Sequence, residues 1–595
     1  MMPGEKAKDF KGTIAKLVRF MGQFKVSLAV AIVFAVFSAA FSIVGPKVLS
    51  QATTELFNGI VAKIGGTGGI NFDAIAGIIG ATLALYLVSA ACSFLQGWMM
   101  SSVSQRTCYG LRRAIAEKID RMPVGYFERN STGDTLSRIT NDVDTLGQSL
   151  NQGVTQMITS ITTLIGVVAM MVSINLVMTG ITLVMLPVSL VLIMVVVKLS
   201  QKHFRAQQEK LGEINGQVEE TFSGHAIVRA FNQEQACEER FEETNDKLYE
   251  SAWKSQFLSG LMQPVMNFVG NLGYVAVALA GSVFAVQGAI TVGDIQAFIQ
   301  YVKNFTQPIT QLTQVSNVLQ QMAAAAERIF AFLEEEEVAP EEPKAQTSQV
   351  PCNVEFDHVR FGYSPDKPVI NDFSAKVSEG QTVAIVGPTG AGKTTMVKLL
   401  MRFYDVDGGA IRIGGVDARD FSRSDVRSMF GMVLQDTWLF SGTIRENIRY
   451  GKLDATDEEV EAAARAGCAH HFITTLPGGY DFVINEDATN ISQGQRQLLT
   501  IARAILANRR MLILDEATSS VDTRTEERIQ RAMDNLMEGR TSFVIAHRLS
   551  TIRSADLILV MQHGDIVEQG THDELLARGG FYAELYNSQF DEGEE

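Results

Sequence analysis

Several features that often stabilise or specialise a fold are scarce in this sequence. Only five cysteines occur among 595 residues, widely spaced and without a CxxC pair. Neither a disulfide framework nor a cysteine-based zinc site is therefore expected, and a reducing cytosol suits such thiols. Basic charge is also in deficit, since the net charge is −15. Proteins that bind nucleic acid carry a basic footprint, so we expect no nucleic-acid partner.

Long apolar runs fill the first half of the chain. Residues 26–44, VSLAVAIVFAVFSAAFSIV, carry no charge and approach the roughly 20 residues that cross a bilayer core. Similar runs recur, and together they predict six spans, at 26–44, 74–98, 155–173, 177–197, 260–287 and 294–318. The first run is too long, and the basic segment before it too extended, for a signal peptide. No carboxylate sits deep in any span, so a built-in proton relay is not expected.

The positions of the basic residues orient these spans. Lysine and arginine precede the first span at Lys6, Lys8, Lys11, Lys16, Arg19 and Lys25. Basic flanks stay inside, which predicts a cytoplasmic N-terminus. The connections 101–154 and 198–258 should then also face inside. They are long, charged and rich in helix formers, with interruptions near 123–134 and 223–231, so they predict helices that continue out of the membrane.

The first 25 residues have a helical apolar face among lysines. This pattern favours a helix lying in the membrane interface over 1–25, ahead of a six-span domain over 26–333. A short soluble capping helix is the alternative.

Amides and a lysine recur at steps of three or four along the sixth span. They are Gln296, Gln300, Lys303, Asn304, Gln307 and Gln311. This spacing puts them on one helical face, and exposing that face to lipid would be costly. Two readings stay open: a wall that contacts substrate, or hydrogen bonds between helices.

The second half of the chain has the composition of a soluble α/β domain. Residues 334–352 are rich in Glu, Pro and Ser and predict a solvated linker to a domain over 353–595. There, TVAIVGPTGAGKTTMVKLL reads as strand, glycine loop and helix. Gly387, Gly392, Lys393 and Thr394 fit the G-x4-GK[ST] pattern. In that pattern loop N–H groups bind phosphate, the lysine reaches the β- and γ-phosphates, and the hydroxyl ligates Mg²⁺.

A second motif supplies carboxylates. In RMLILDEATSSVD, four apolar residues precede Asp515 and Glu516. A buried strand would deliver both carboxylates to its carboxyl end, where α/β sheets bind ligands. We expect Asp515 to hold the magnesium shell and Glu516 to polarise the attacking water.

With these motifs in order, the chain resembles an ABC exporter half-transporter. The resemblance implies that Tyr363 stacks on adenine, that Gln435 meets magnesium and the membrane domain, and that His547 contacts the γ-phosphate as a catalytic residue beside Glu516. Ser520–Asp522 would form the D-loop, and the interruptions near 123–134 and 223–231 would be coupling helices. The phosphate loop comprises Gly387, Pro388, Thr389, Gly390, Ala391, Gly392, Lys393, Thr394 and Thr395. The implied magnesium shell comprises Thr394, Gln435 and Asp515.

The segment NISQGQRQ resembles the family's LSGGQ signature, which contacts ATP held on a partner chain. The residues implied to act in trans are Ser492, Gln493, Gly494 and Gln495. Here Ile491 stands for leucine, and Gln493 adds a side chain where a glycine is usual. An intact hydrolytic set with an altered signature resembles the catalytically intact subunit of heterodimeric bacterial multidrug exporters. We therefore expect a heterodimer, with a homodimer as the alternative.

The expected fold is a membrane all-α domain, six transmembrane helices with long cytoplasmic extensions, followed by an α/β P-loop nucleotide-binding domain. The resemblance implies ATP and Mg²⁺ as cofactors. It also implies a second half-transporter, the lipid bilayer and a small-molecule substrate as partners, in a bacterial plasma (inner) membrane. The expected activity is ATP-driven export of amphiphilic or hydrophobic small molecules. A lipid flippase and an ATP-gated channel are the alternatives.

Overall fold

The computed structural model describes residues 7–339, 341, 350–364, 366–434, 437–515, 522–546 and 549–590. Within these ranges, the side chains at 134, 185–186, 189–190, 306, 310, 313–314, 316, 549–550 and 589–590 are not described. The chain divides into two compact units. The first, the helical unit, runs to Met122 and resumes over Asn130–Glu337. The second, the nucleotide unit, combines Pro123–Arg129 with the chain from Val338 onward.

The described part of the helical unit is built of helices. In chain order they are α1 (Phe10–Phe20), α2 (Lys25–Ile64), α3 (Phe72–Arg121), α5 (Thr132–Ser137), α6 (Val143–Ser149), α7 (Thr155–Ile174), α8 (Leu176–Ser223), α9 (His225–Ala230), α10 (Glu234–Gly260), α11 (Met262–Val286) and α12 (Val292–Leu333). The short helix α4 (Val124–Arg129) belongs to the nucleotide unit. The predicted interruptions near 123–134 and 223–231 coincide with α4 and α9.

Four helical stretches among the described residues are long and apolar enough to cross a membrane. They are Phe10–Ile64, Phe72–Arg121, Thr135–Ile174 and Glu234–Val286. These four contain the predicted spans at 26–44, 74–98, 155–173 and 260–287. The predicted spans at 177–197 and 294–318 lie within α8 and α12, two long helices that are not among the four. The chain therefore has a membrane-spanning helical unit, and the full count of six spans stays a prediction.

An apolar core joins α2, α7, α11 and α12. Val167, Val277 and Phe298 are fully buried in it. Tyr301 is also fully buried, and its hydroxyl donates to the carbonyl of Ile43 at 2.9 Å, so its polar atom is satisfied. Away from this core, large apolar side chains are exposed, among them Phe94, Leu87 and Trp98. Exposed apolar surface of this kind suits contact with lipid tails rather than water.

The described part of the nucleotide unit contains three sheets. Its strands are β1 (Val354–Ser364), β2 (Lys367–Val377), β3 (Thr382–Val386), β4 (Gly408–Ile413), β5 (Val416–Asp417), β6 (Phe430–Val433), β7 (Gly442–Thr443), β8 (Val483–Ile484), β9 (Met511–Asp515), β10 (Thr541–Ile545), β11 (Leu557–Gln562) and β12 (Asp565–Gly570). The largest sheet has the order β12-β11-β3-β10-β9-β6, and its core strands are parallel. An antiparallel sheet has the order β2-β1-β4-β5, and β7 pairs with β8.

Helices complete this unit. They are α13 (Lys393–Leu400), α14 (Arg423–Met429), α15 (Ile444–Arg449), α16 (Asp457–Ala466), α17 (His470–Thr475), α18 (Gln493–Ala507), α19 (Thr523–Met537), α20 (Leu549–Arg553), α21 (His572–Arg578) and α22 (Phe581–Phe590). The strands β9 and β10 are buried along nearly their whole length. Continuous burial is typical of parallel strands covered on both faces. The carboxyl ends of β3, β6, β9 and β10 therefore share one edge of the sheet.

Candidate functional site

The glycine loop between β3 and α13 follows a course that requires glycine. Gly387 has φ +154° and Gly392 has φ +101°, values that residues with a Cβ rarely adopt. A Cβ built on Gly387 would also lie within 3.0 Å of the carbonyl oxygen of Met561 on β11. The loop backbone thus lies directly against the neighbouring strand, with room for hydrogen only.

The Lys393 side chain folds back onto the glycine loop and bonds to its backbone. Its ammonium donates to the carbonyls of Gly387 at 2.6 Å and Pro388 at 3.1 Å. Burial lowers the pKa of Lys393, and the nearby Asp515 carboxylate opposes that effect. A half-buried cation that bonds to these two carbonyls is well placed to exchange them for phosphate oxygens, which carry full negative charge.

A cavity of about 460 Å³ opens beside the loop. It is lined by Val369, Thr389, Gly390, Ala391, Gly392, Lys393, Thr394, Thr395, Asp515 and Ile545. The start of α13 supplies backbone N–H groups, which bind phosphate well. The Thr394 hydroxyl and the Asp515 carboxylate offer the oxygen ligands that Mg²⁺ prefers. The residues present therefore fit nucleotide phosphates accompanied by magnesium.

Sheet topology explains how Asp515 reaches this cavity. Residues 511–514 are buried, and Asp515 ends β9 opposite Ile545 of β10. The strand β10 lies between β9 and β3 in the sheet. Gln435, Glu516 and His547 follow β6, β9 and β10 closely in sequence. These three, together with residues 520 and 521 of the D-loop, lie outside the described residues, and their predicted roles stay predictions. Asp522, the last D-loop residue, caps α19 by accepting from the Thr525 N–H at 3.0 Å.

Tyr363 lies next to the loop helix. Its hydroxyl is 3.2 Å from the Thr395 hydroxyl, and 43% of the residue is exposed. Its ring packs edge-on against Phe361 and Tyr404, with centroid separations of 5.1 and 5.3 Å. An aromatic face held beside the phosphate loop is suited to stacking on a base. Its contact with adenine stays a prediction.

The altered signature forms the start of α18. Ser492 Oγ accepts from the Gln495 N–H at 3.3 Å, and Gln495 Oε1 accepts from the Ser492 N–H at 2.9 Å, which is a complete capping box. Gln493 is exposed and Gly494 is buried. These four residues are not among those lining the cavity beside the loop. The substitution at Gln493 therefore leaves the helix start intact, and action in trans stays a prediction.

The polar face predicted on the sixth span lies on α12, in the helical unit. Two of its members bond to neighbouring helices: Gln296 with the Thr53 hydroxyl of α2, and Gln311, which accepts from Ser160 Oγ of α7 at 2.9 Å. These two fit the reading as hydrogen bonds between helices. The remaining members, exposed or half-buried, are Gln300, Lys303, Asn304 and Gln307. They keep the substrate-wall reading open.

Sequence reasoning missed one cluster beside Tyr363. Glu128 of α4 pairs with the Lys398 ammonium at 2.8 Å and accepts from the Tyr404 hydroxyl at 2.7 Å. Glu128 and Tyr404 are 276 positions apart in sequence. The interruption near 123–134 marked the segment but not its contacts, because a break in a helix carries no information about a distant partner.

Comparison with known proteins assigns both halves of the chain. Residues 28–309 match the family model "ABC transporter transmembrane region", and residues 370–519 match the model "ABC transporter". A "Fatty acid ABC transporter ATP-binding/permease protein" of Mycobacterium tuberculosis is 46% identical over 98% of this chain and 97% of its own length.

Two further relatives are similar over most of their length. An uncharacterized ABC transporter ATP-binding protein of Bacillus subtilis is 40% identical, covering 98% of this chain and 96% of that protein. An "ATP-dependent lipid A-core flippase" of Syntrophus aciditrophicus is 39% identical, covering 87% of this chain and 86% of that protein.

Proposed function

Because the chain belongs to the ABC transporter family and is an ATPase coupled to transport, we propose that it is half of an ATP-driven exporter of amphiphilic or hydrophobic molecules. The observation that carries this proposal is that one chain combines a membrane-spanning helical unit with a glycine loop beside a cavity that Lys393 and Asp515 line. The proposed topology has six spans in a bacterial plasma membrane, with the N-terminus and the nucleotide unit in the cytoplasm.

In the proposed mechanism, Lys393 releases the carbonyls of Gly387 and Pro388 and binds the β- and γ-phosphates of ATP. Thr394, Gln435 and Asp515 would hold magnesium, which neutralises charge on the phosphates. Glu516 orients the attacking water and accepts its proton, while His547 contacts the γ-phosphate.

Transport follows from differential affinity. The closed arrangement of two nucleotide units offers ATP the signature residues of the partner in addition to the loop, so ATP stabilises closure. Hydrolysis removes the γ-phosphate contact and resets the dimer. Alternating access in the helical unit would follow this cycle.

For the substrate, we favour a molecule with an acyl chain. Relatives named as a fatty acid transporter and a lipid A-core flippase both handle such molecules. The exposed amides of α12 at Gln300 and Gln307 suit a polar head group, since amides both donate and accept hydrogen bonds.

ATPase stimulation in reconstituted liposomes tests this proposal. We expect long-chain fatty acids to raise ATP turnover, and Lys393→Met to abolish turnover with or without them. Stimulation by cationic aromatic drugs alone would contradict an acyl-chain substrate, and absence of any ATPase activity in the wild type would contradict the exporter.

A lipid flippase is the second candidate, favoured by the 39% identity to the lipid A-core flippase over most of both chains. Movement of a fluorescent phospholipid between leaflets distinguishes the two. A flippase moves it in an ATP-dependent way, whereas a fatty acid exporter leaves its distribution unchanged.

The proposed partner is a second, different half-transporter. Gln493 adds an exposed side chain at the start of α18, where the family's glycine gives a close approach to ATP on the partner. The native mass and composition of the tagged protein, gently extracted from its own membrane, test this. Two different chains support a heterodimer, and a dimer of one polypeptide contradicts it.

A further inference from the structure

A short segment of the chain's first half lies within the nucleotide unit. The helix α4 and the preceding Pro123 are grouped with residues from 338 onward. The backbone of α4 lies close to the Tyr404 side chain at Gly125, where a built Cβ would be 2.8 Å from the Tyr404 hydroxyl. Residues 123–129, which we term the docked segment, are therefore packed against Tyr404, whose ring contacts Phe361 and Tyr363.

Glu128 anchors the docked segment through both carboxylate oxygens. One oxygen lies 2.8 Å from the Lys398 ammonium, and the other accepts from the Tyr404 hydroxyl at 2.7 Å. Burial alone would raise the pKa of Glu128, but the bonds from Lys398 and Tyr404 outweigh it and hold that pKa below its usual range. The carboxylate is thus ionised at neutral pH, and both bonds are charge-assisted.

Both partners of Glu128 contact Tyr363. The Lys398 ammonium is 5.5 Å from the centroid of the Tyr363 ring, and the Tyr404 ring packs edge-on against it at 5.3 Å. Lys398 and Thr395 also belong to α13, the helix that begins with Lys393, and Thr395 lies within hydrogen-bonding distance of the Tyr363 hydroxyl. One carboxylate therefore restrains, through two intermediaries, the aromatic ring beside the nucleotide cavity.

We propose that Glu128 is a positioning residue for nucleotide binding: by holding Lys398 and Tyr404, it fixes the orientation of the Tyr363 ring on which the base stacks. This inference deepens the proposed function and rests on it. Because linkage is reciprocal, a nucleotide that prefers the fixed ring must in turn stabilise the docked segment in its place. Through Lys398 and Tyr404, occupancy of the chain's own ATP site then affects the docked segment, which follows α3 in the chain.

Steady-state ATPase kinetics of the full, assembled transporter provide the first test. Glu128→Gln keeps the size of the side chain and removes its charge. We expect it to raise KM for ATP about three- to tenfold while kcat stays within about twofold, since no group that touches the reacting phosphate changes. Lys398→Met should have a similar effect. The double variant should be no worse than either single variant, since all three lose the same interaction.

A control and a second variant keep the result interpretable. Glu379 forms an ion pair with Arg510 at 3.1 Å in the same unit, with both side chains 56% exposed, and Glu379→Gln should leave KM unchanged. Tyr404→Phe removes one hydroxyl and keeps the ring, so it should fold and raise KM by a smaller factor. An unchanged KM in both Glu128→Gln and Tyr404→Phe would overturn the proposal.

Hydrogen exchange measures the reciprocal effect. In the wild type, ATP should slow amide exchange in peptides covering residues 123–129, and this protection should be lost in Lys398→Met. Equal ATP protection in both proteins would overturn the proposal, as would its absence from a wild type that hydrolyses ATP. A wild type without ATPase activity would instead refute the proposed function, so the two failures are distinguishable.

Discussion

The glycine at the start of the phosphate loop gives the sharpest structural prediction. In Gly387→Ala, the alanine would have to keep the φ of +154° that Gly387 adopts, which costs about 1–3 kcal/mol for a residue other than glycine. It would also collide with the Met561 carbonyl, a backbone group that cannot rotate away. The loop must therefore shift by a fraction of an ångström, and displacements approaching 1 Å at a reacting site cost up to about 100-fold in rate.

We accordingly expect Gly387→Ala to lower kcat/KM for ATP by about 10- to 100-fold, measured as phosphate release from the purified, assembled protein. Gly415→Ala is the matched control: Gly415 also has a positive φ, +82°, but open space around its Cβ position. The control should lose about 1–2 kcal/mol of stability through backbone strain alone and keep its ATPase activity. Wild-type kcat/KM in Gly387→Ala, or an equal loss in Gly415→Ala, would refute the steric reasoning.

Four further outcomes follow from the site and the core. Glu516→Gln should bind ATP yet turn it over very slowly; normal turnover would disprove its role as base. Gln493→Gly should raise ATP turnover of the assembled protein, because it restores the glycine of the signature; no gain, in a protein with two equal sites, would count against an impaired cross-site. Tyr363→Ala should raise KM for ATP about tenfold, from the loss of base stacking, and an unchanged KM would contradict stacking. Phe373 is fully buried, so Phe373→Ala should destabilise the nucleotide unit by about 3–5 kcal/mol in chemical unfolding, whereas a loss below 1 kcal/mol would show that the core repacks.

Local sequence patterns predicted the strand and the helix on either side of the glycine loop. The strand, glycine loop and helix around Lys393 occupy consecutive residues, so their geometry follows from chain-local preferences. Asp515 was also placed at the end of a buried strand because continuous apolar residues precede it. In both cases the information sits within about a dozen positions, and the structure shows Lys393 and Asp515 at one cavity.

Contacts between distant segments were beyond the reach of the sequence. Periodicity placed Gln296 and Gln311 on one face of α12, but it could not show that Thr53 and Ser160 lie opposite them. The pairing of Glu128 with Lys398 was unpredictable for the same reason, since a break in a helix does not indicate which distant residue will contact it. Apolar runs and composition predicted the order of the two halves, whereas these specific contacts required the three-dimensional structure.

Vectorial transport tests the central claim most directly. The assembled protein would be reconstituted into liposomes with its nucleotide units outward, and a labelled long-chain fatty acid followed into the lumen. We predict accumulation that requires both magnesium and ATP and disappears in Lys393→Met. Equal accumulation without ATP, or an ATP-gated current in place of accumulation, would contradict an ATP-driven exporter.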